Sequence, residues 1–155
     1  MGPSPRQQSI PDRLQPTAHP VPERAESDRL VTSAAVRLGR LLYGSVLGVM
    51  AVNGLQNADA QAEYAEAKGV PAPWFATVYA HLLLLAGAVG ITLWRWPRAA
   101  ASTVALFFVG VTPVIHDFWS IDDAEQAQQE QLAFLKNVGL LGAALVFLEL
   151  ARRSE

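Results

Sequence analysis

The sequence predicts an all-α integral membrane protein: a four-helix bundle with both termini cytoplasmic, preceded by a disordered, proline-rich N-terminal tail. Three observations predict this fold class. The composition changes from polar to apolar after residue 33, four long apolar segments follow, and arginines concentrate on one side of those segments. We therefore divide the chain into a cytoplasmic tail, residues 1–33, and a transmembrane domain, residues 34–155.

The tail contains six of the ten prolines, separated mainly by polar and charged residues. Such a stretch buries too little apolar surface to offset the entropy of the chain. It also lacks the apolar run of a secretory signal. We interpret it as a disordered tail, with an incorrectly assigned start codon as the alternative.

The apolar segments have the length of membrane spans. The second, WFATVYAHLLLLAGAVGITLW, carries no formal charge over residues 74–94. At about 1.5 Å per residue it matches a hydrocarbon core of about 30 Å. A soluble helical protein would leave this segment without a polar face for water. The predicted spans cover residues 34–55, 74–94, 99–115 and 132–150, each bound being approximate.

Charge and aromatic placement orient the bundle. Six arginines lie on one side of the predicted spans: Arg37, Arg40, Arg95, Arg98, Arg152 and Arg153. The opposite connections carry only Lys68 and Lys136, so the positive-inside rule places both termini in the cytoplasm. All four tryptophans fall at span ends, where indoles favour the interface: Trp74, Trp94, Trp96 and Trp119. We expect a multi-pass protein of the cell (plasma) membrane, in contact with the lipid bilayer.

Both outward connections show helix signals. Asn57 is placed to cap a helix through ADAQAEYAEAK, which Gly69 and Pro71 would end. Ser120 and Asp123 have the spacing of a capping box. The polar stretch IDDAEQAQQEQ is then expected to continue into the fourth span as one long helix.

Small residues predict close packing between the spans. Three pairs have small-xxx-small spacing, which lets helix backbones approach in lipid: Gly44 and Gly48, Ala86 and Gly90, and Gly139 and Ala143. Pro113 is expected to kink the third span just below His116. These features predict a packed bundle, with homo-oligomerisation left open.

Composition excludes several classes of function. There is no cysteine, so disulfides, thiolate nucleophiles and cysteine-held metal clusters are excluded. The net charge of −2 argues against nucleic-acid binding. His81, His116 and Asp117 lack the spacing of a metal site, so we predict no metal.

Polar and aromatic side chains from all four spans gather toward the outward end of the predicted bundle. Polar groups within a span are costly and face the bundle interior unless they reach the interface. We therefore expect an outward-facing polar pocket in which Asp117 pairs with Lys136 or His116. The candidate ligand-binding residues are Asn53, Gln56, Asn57, His81, His116, Asp117, Phe118, Trp119, Phe134, Lys136 and Asn137.

Several of these residues belong to recognisable motifs. The motifs are NGLQN at 53–57, KGVPAP at 68–73, HDFW at 116–119, and FLKN at 134–137 followed by LG at 141–142. Over about residues 37–150 the chain resembles the DoxX family of small four-helix membrane proteins. Many relatives have His and Lys where this chain has Asn53 and Asn57. The resemblance implies a link to thiosulfate:quinone oxidoreductases or to membrane complexes of oxidative stress.

Three functions follow from different classes. The first is a subunit or partner of a quinone-linked redox complex, non-catalytic or quinone-binding, with quinone as its only expected cofactor. The second is a non-enzymatic structural or interaction protein of the membrane, and the third is a small-solute or ion carrier. In the first, His81 and Asn137 would donate to a quinone head from opposite sides, with Asn53 or Lys136 as further donors. Phe118, Trp119 and Phe134 would contact its ring.

Overall fold

The computed structural model describes residue 25, residues 28–29 and residues 32–154, and these residues form helices without strands. The predicted disorder of the tail concerns residues that lie almost entirely outside this range. The helices are α1 (Ala34–Gln56), α2 (Ala58–Ala67), α3 (Pro73–Leu93), α4 (Pro97–Ile115), a short 3₁₀ helix (Phe118–Ser120) and α5 (Ala124–Ser154). Within the described residues, four helical segments are long and apolar enough to cross a membrane: Ala34–Gln56, Pro73–Leu93, Pro97–Ser120 and Ala124–Ser154. The predicted all-α architecture with four candidate membrane-spanning helices is confirmed.

The long helices pack in sequence order, α1 on α3, α3 on α4 and α4 on α5. Tyr43 of α1 closes the bundle, because its hydroxyl donates to the Leu140 carbonyl of α5 at 2.6 Å. The Tyr43 ring also contacts Phe147, with 5.3 Å between centroids. The largest fully buried side chains between the helices are Phe108, Leu47, Leu84, Ile91 and Val104.

Glycines set the close approaches between helices. A Cβ atom on Gly44 would overlap Thr92 and lie 3.0 Å from the Ala88 carbonyl oxygen. A Cβ atom on Gly90 would lie 2.6 Å from Ala100. Gly48 and Gly139, by contrast, have no neighbour within 4 Å of a built Cβ. Only part of the predicted small-residue pattern therefore serves packing inside the bundle.

The arginines lie together at one end of the bundle, here called the arginine end. A guanidinium nitrogen of Arg40 donates to the Thr92 carbonyl at 3.0 Å, and the group lies 4.7 Å from the centroid of the Trp94 ring. Arg98 donates to the Arg152 carbonyl at 3.1 Å. These contacts bring the start of α1, the α3–α4 turn and the end of α5 to one level. Which side of the membrane this end faces stays a prediction.

The opposite end, residues 57–72 and 116–130, is here called the polar cap. Its first helix, α2, forms as predicted and ends at Ala67. Gly69 lies in the turn that follows, with a φ of +76° in the left-handed region. The prediction that the Asn57 side chain caps this helix is wrong. Asn57 occupies the N-cap position, but its side chain donates back to the Asn53 carbonyl at 2.8 Å and makes no capping bond.

The predicted capping box at Ser120 is also wrong. Ser120 lies in the 3₁₀ helix, where its amide donates to the Asp117 carbonyl at 2.9 Å. The following helix is capped by Asp123, whose carboxylate accepts from the Gln126 amide at 2.8 Å. From Ala124 the chain then runs as one 31-residue helix, as predicted for IDDAEQAQQEQ.

Candidate functional site

Asp117 forms an ion pair across the polar cap with Lys68, from the connection between α2 and α3. The prediction that Asp117 pairs with Lys136 or His116 is wrong. Because α2 packs on α3 beside the end of α4, the turn after α2 brings Lys68 to a residue that is 49 positions away. The hydrogen bond to Asp117 raises the pKa of Lys68 above its ordinary value.

His116 contacts α5 through the side chain of Glu130. Its Nδ1 lies 2.6 Å from the Glu130 carboxylate, which joins the end of α4 to the extramembrane part of α5. The Tyr64 hydroxyl of α2 donates to the Ile115 carbonyl at 3.3 Å. Side-chain contacts in the polar cap thus connect the α2 segment, the end of α4 and α5. The candidate residues His116 and Asp117 both take part in these contacts.

The first-helix candidates lie at the rim of this cap. Asn53, Gln56 and Asn57 are all exposed. The Asn57 amide donates to the Asn53 side-chain oxygen at 3.0 Å as well as to its carbonyl. Asn53 and Asn57 thus form a local pair at the end of α1. None of the three residues lines either of the two cavities described below.

The aromatic candidates do form a cluster. Phe118 contacts Trp119 and Phe134, with centroid distances of 5.1 Å and 5.5 Å. Trp119 and Phe134 are 5.9 Å apart. The cluster joins the 3₁₀ helix to α5.

His81 lines an open cavity of about 170 Å³ whose walls come from α2, the α2–α3 connection, α3 and α4. Its Nδ1 lies 2.8 Å from the Thr77 carbonyl oxygen. Because a carbonyl oxygen only accepts, Nδ1 carries the hydrogen, and in the neutral form of an imidazole bonded in this way Nε2 is an acceptor. Among the described residues Nε2 has no hydrogen-bond partner. The lining is otherwise largely apolar: Gln61, Ala65, Val70, Ala76, Thr77, Ala80, Gly110, Val111, Val114 and Ile115.

The position of His81 depends on Gly54. A Cβ atom on Gly54 would overlap Cδ2 and Nε2 of the imidazole ring and lie 2.8 Å from its Cε1, so Nε2 lies beside α1. On the α4 side the ring makes an edge contact with Phe107 at a centroid distance of 5.9 Å. The ring is therefore held between α1 and α4.

Asn137 lies in a different place, a groove of about 140 Å³ between α4 and α5. The groove is lined by Phe108, Val109, Thr112, Pro113, Phe134, Asn137, Val138 and Leu141. Lys136, the neighbouring candidate, is exposed on the outer face of α5. His81 and Asn137 thus line separate cavities, and the structure does not form the single pocket in which both would contact one head group.

The polar cap does not gather a metal-binding set. Within the described residues no group of three or more His, Asp and Glu side chains is placed to hold a metal ion. The carboxylates of Asp117 and Glu130 are each paired with a basic side chain from another segment.

A family model named DoxX matches residues 35–117, more than half of the chain. The chain belongs to the DoxX family. No curated protein and no solved structure matches it. The sequence resemblance to this family is thereby confirmed over α1 to α4.

The matched region of this DoxX protein contains the His81 cavity in full and ends at Asp117. Asn137, Phe134 and the whole of α5 lie beyond it. The Lys68–Asp117 pair therefore belongs to the matched part, whereas the α4–α5 groove includes residues that the match does not reach.

The sequence does not predict the roles of three residues of this DoxX protein. For Lys68 the only sequence signal beyond its positive charge is the motif KGVPAP. Gly54 lies within the motif NGLQN, but only the packing of two helices shows that it makes room for His81. The Thr112 hydroxyl is buried without a hydrogen-bond partner among the described residues, and no sequence signal indicates this, since threonine within a helix ordinarily bonds to its own backbone.

Proposed function

We propose that this DoxX protein binds a lipophilic ring that carries hydroxyl groups, of the benzoquinol class, in the cavity around His81. The observation that carries the proposal is the position of His81 in the wall of this cavity. Its Nδ1 is bonded to the Thr77 carbonyl, and its Nε2, which lies beside Gly54 of α1, has no hydrogen-bond partner among the described residues. A neutral imidazole held in this way accepts a hydrogen bond from a hydroxyl. This revises the expected role of His81 from donor to acceptor and favours the reduced, quinol form of the head group.

The size and lining of the cavity support this ligand class. A cavity of about 150 Å³ accepts a benzene ring, and the cavity at His81 measures about 170 Å³. Its walls are apolar except near Thr77, His81 and Gln61. Pockets for small ligands commonly combine an apolar wall with a few polar groups that fix orientation.

The role proposed for the chain in a redox complex is to bind and orient the head group. The electrons would pass to or from a partner subunit in the plasma membrane, because cofactors carry such chemistry and the protein supplies position. Mild-detergent purification followed by mass spectrometry of co-eluting proteins tests this part. Recovery of the chain without any redox enzyme would contradict the partnership but leave the binding site open to its own test.

The binding site is tested by titrating purified protein with a short-chain benzoquinol, its quinone, and its dimethyl ether. We expect the quinol to bind more tightly than the ether, which has no hydroxyl to donate. His81→Leu should weaken quinol binding about threefold to tenfold, the value of one hydrogen bond.

His116→Gln is the matched control, because His116 lies in the polar cap and does not line the cavity. It should leave quinol binding unchanged. Equal binding of quinol and dimethyl ether, or equal binding by wild type and His81→Leu, would overturn the proposal.

A structural and interaction role is the second candidate, and the polar cap favours it. The ionisable residues Asp117 and His116 are both paired with side chains from other segments. Such pairing orders the cap and leaves fewer free groups for ligand chemistry. If the quinol titration fails while the cap pairs prove coupled, this second function is the better description.

A further inference from the structure

We infer that an anionic phospholipid binds between α3 and α4 at the arginine end, with an acyl chain in a groove and its phosphate at Arg95. This groove, here called the α3–α4 groove, has a volume of about 640 Å³. It shares no lining residue with the His81 cavity, so the inference does not rest on the function proposed above. It rests on an apolar groove that has a cationic group at its end.

Small residues line the α3–α4 groove where the two helices come closest. A Cβ atom on Gly87 would lie 2.6 Å from Val104, and one on Gly90 would lie 2.6 Å from Ala100. Four larger apolar side chains of α3 also line the groove and are exposed along it: Leu82, Leu83, Val89 and Leu93. The groove is therefore open to the surrounding lipid along the side of α3.

The α3–α4 groove has the depth of one bilayer leaflet. Its lining on α3 extends from Leu82 to Leu93, about 16 Å at helical rise. Half of a hydrocarbon core is about 15 Å. The hydroxyl of Thr103, which also lines the groove, is already bonded to the Ala99 carbonyl at 2.8 Å. The length and the apolar surface of the groove therefore suit an acyl chain.

Arg95 lies at the end of the groove, in the turn of residues 94–96 that joins α3 to α4. The two flanking residues, Trp94 and Trp96, both have a positive φ, 55° and 46°. The Arg95 guanidinium lies 5.5 Å from the centroid of the Trp96 ring, and both residues line the groove. Tryptophan favours the membrane interface, so this contact places the arginine charge at the level of the lipid head groups.

The charge of Arg95 lacks a counter-charge from the protein. Arg95 is exposed and forms no ion pair with a carboxylate within the described residues. The nearby carboxylate of α5, Glu149, is bonded to Arg153 at 2.9 Å. Because α4 begins at Pro97, the positive end of its helix dipole adds to the same potential. Basic pockets between membrane helices bind the head groups of anionic lipids.

The groove and the charge together select the ligand. Lipid tails are as apolar as the groove, so the groove supplies shape and the arginine supplies the selectivity for charge. An uncharged lipid would leave Arg95 without a counter-charge, and a soluble phosphate would leave the groove without its acyl chain. A phospholipid with a net negative head group satisfies both parts of the site.

Native mass spectrometry of the delipidated full-length protein in mild detergent tests the site. The probes are dioleoyl phosphatidylglycerol, dioleoyl phosphatidylcholine, which has the same chains, and glycerophosphoglycerol, the anionic head group without chains. We expect the first phosphatidylglycerol to bind about threefold to tenfold more tightly than phosphatidylcholine. The head group alone should not bind at the same concentrations.

Arg95→Gln tests the recognition of the phosphate. It should weaken phosphatidylglycerol binding about threefold to tenfold and leave phosphatidylcholine binding unchanged. Arg37→Gln is the matched control, because it removes the same charge from an exposed residue of the arginine end that does not line the groove. It should bind phosphatidylglycerol like wild type.

Ala86→Leu tests the seat of the acyl chain. Ala86 lines the groove and is exposed, so a larger side chain there should obstruct the groove and weaken the binding of both phospholipids. Gly142→Leu is the control, because Gly142 is exposed on α5 and nothing lies within 4 Å of its built Cβ. It should leave the binding of both phospholipids unchanged.

Three results would overturn the inference. Equal weakening of phosphatidylglycerol binding by Arg95→Gln and Arg37→Gln would show that only the summed charge of the arginine end attracts lipid. Equal binding by wild type and Ala86→Leu would show that the acyl chain does not enter the groove. A dimer that Ala86→Leu abolishes, without phosphatidylglycerol binding to the wild type, would assign the groove to a second copy of the chain.

Discussion

The imidazole ring of His81 occupies the space into which a Cβ atom on Gly54 would project. This contact between α1 and α3 fixes how closely the two helices approach at the level of the cavity. It also holds the ring so that Nδ1 reaches the Thr77 carbonyl. A residue other than glycine at position 54 would therefore alter both packing and the orientation of His81.

Gly54→Ala is predicted to destabilise the protein by about 1–3 kcal/mol, the usual cost of inserting a methyl group into a packed interface. Gly48→Ala is the control on the same helix, because nothing lies within 4 Å of its built Cβ. It should cause no loss, since alanine is the better helix former. Reversible unfolding in detergent measures both. If both variants lost the same free energy of unfolding, the contact with His81 would not contribute to stability.

Gly44→Ala is predicted to cause a similar loss at the arginine end, by overlap with Thr92. Adding Thr92→Ala removes the overlapping hydroxyl and should recover part of that loss. Full recovery is not expected, because the Ala88 carbonyl oxygen would still lie 3.0 Å from the new Cβ. Losses that simply add in the double variant would contradict a direct contact between the two positions.

Lys68→Met and Asp117→Asn are predicted to be coupled. Each breaks the same ion pair, so the double variant should be little less stable than either single one. Lys136→Met should show no coupling to Asp117→Asn, since Lys136 is exposed on α5. Thermal unfolding of the five variants, including both doubles, checks this. Coupling to Lys136 instead of Lys68 would overturn the assigned pair.

The contribution of Lys68 to stability should depend on pH in one direction. Its pKa lies above the ordinary value of 10.5 because Asp117 accepts a hydrogen bond from its ammonium. A group whose pKa is raised by folding stabilises the folded state below its unfolded pKa and loses that contribution as the pH rises through the folded value.

The difference in stability between wild type and Lys68→Met should therefore be constant from neutral pH to about pH 9 and shrink above about 10.5. Unfolding transitions measured across this range provide the check. A difference that is unchanged at the alkaline end would mean that Lys68 acts through packing and not through its charge.

Both termini are predicted to face the cytoplasm, because six arginines lie at the arginine end. A reporter fused after Glu155 should be active in the cytoplasm, and one inserted near Glu63 should be active outside. The reverse pattern would place the polar cap, and with it the entrance to the His81 cavity, on the cytoplasmic side.

The sequence by itself determined the spans, the common level of the arginines and the continuation of the polar segment into α5. These are properties of hydropathy, charge and helix signals along the chain, and each can be read without knowing what a helix packs against. Local capping was less predictable, because Ser120 and Asp123 both offer an acceptor. Asp123 caps α5, because Ser120 lies in the preceding 3₁₀ helix.

Only the tertiary structure decided which side chains share a cavity. A helix that is apolar on all sides has no polar stripe to reveal its rotation, because lipid and protein interior are equally apolar. That rotation is set by close contacts such as Gly54 with His81 and Gly44 with Thr92. It separated His81 from Asn137 and turned Lys136 outward, and it buried the Thr112 hydroxyl without a hydrogen-bond partner among the described residues. The packing of α2 on α3 placed Lys68 beside Asp117.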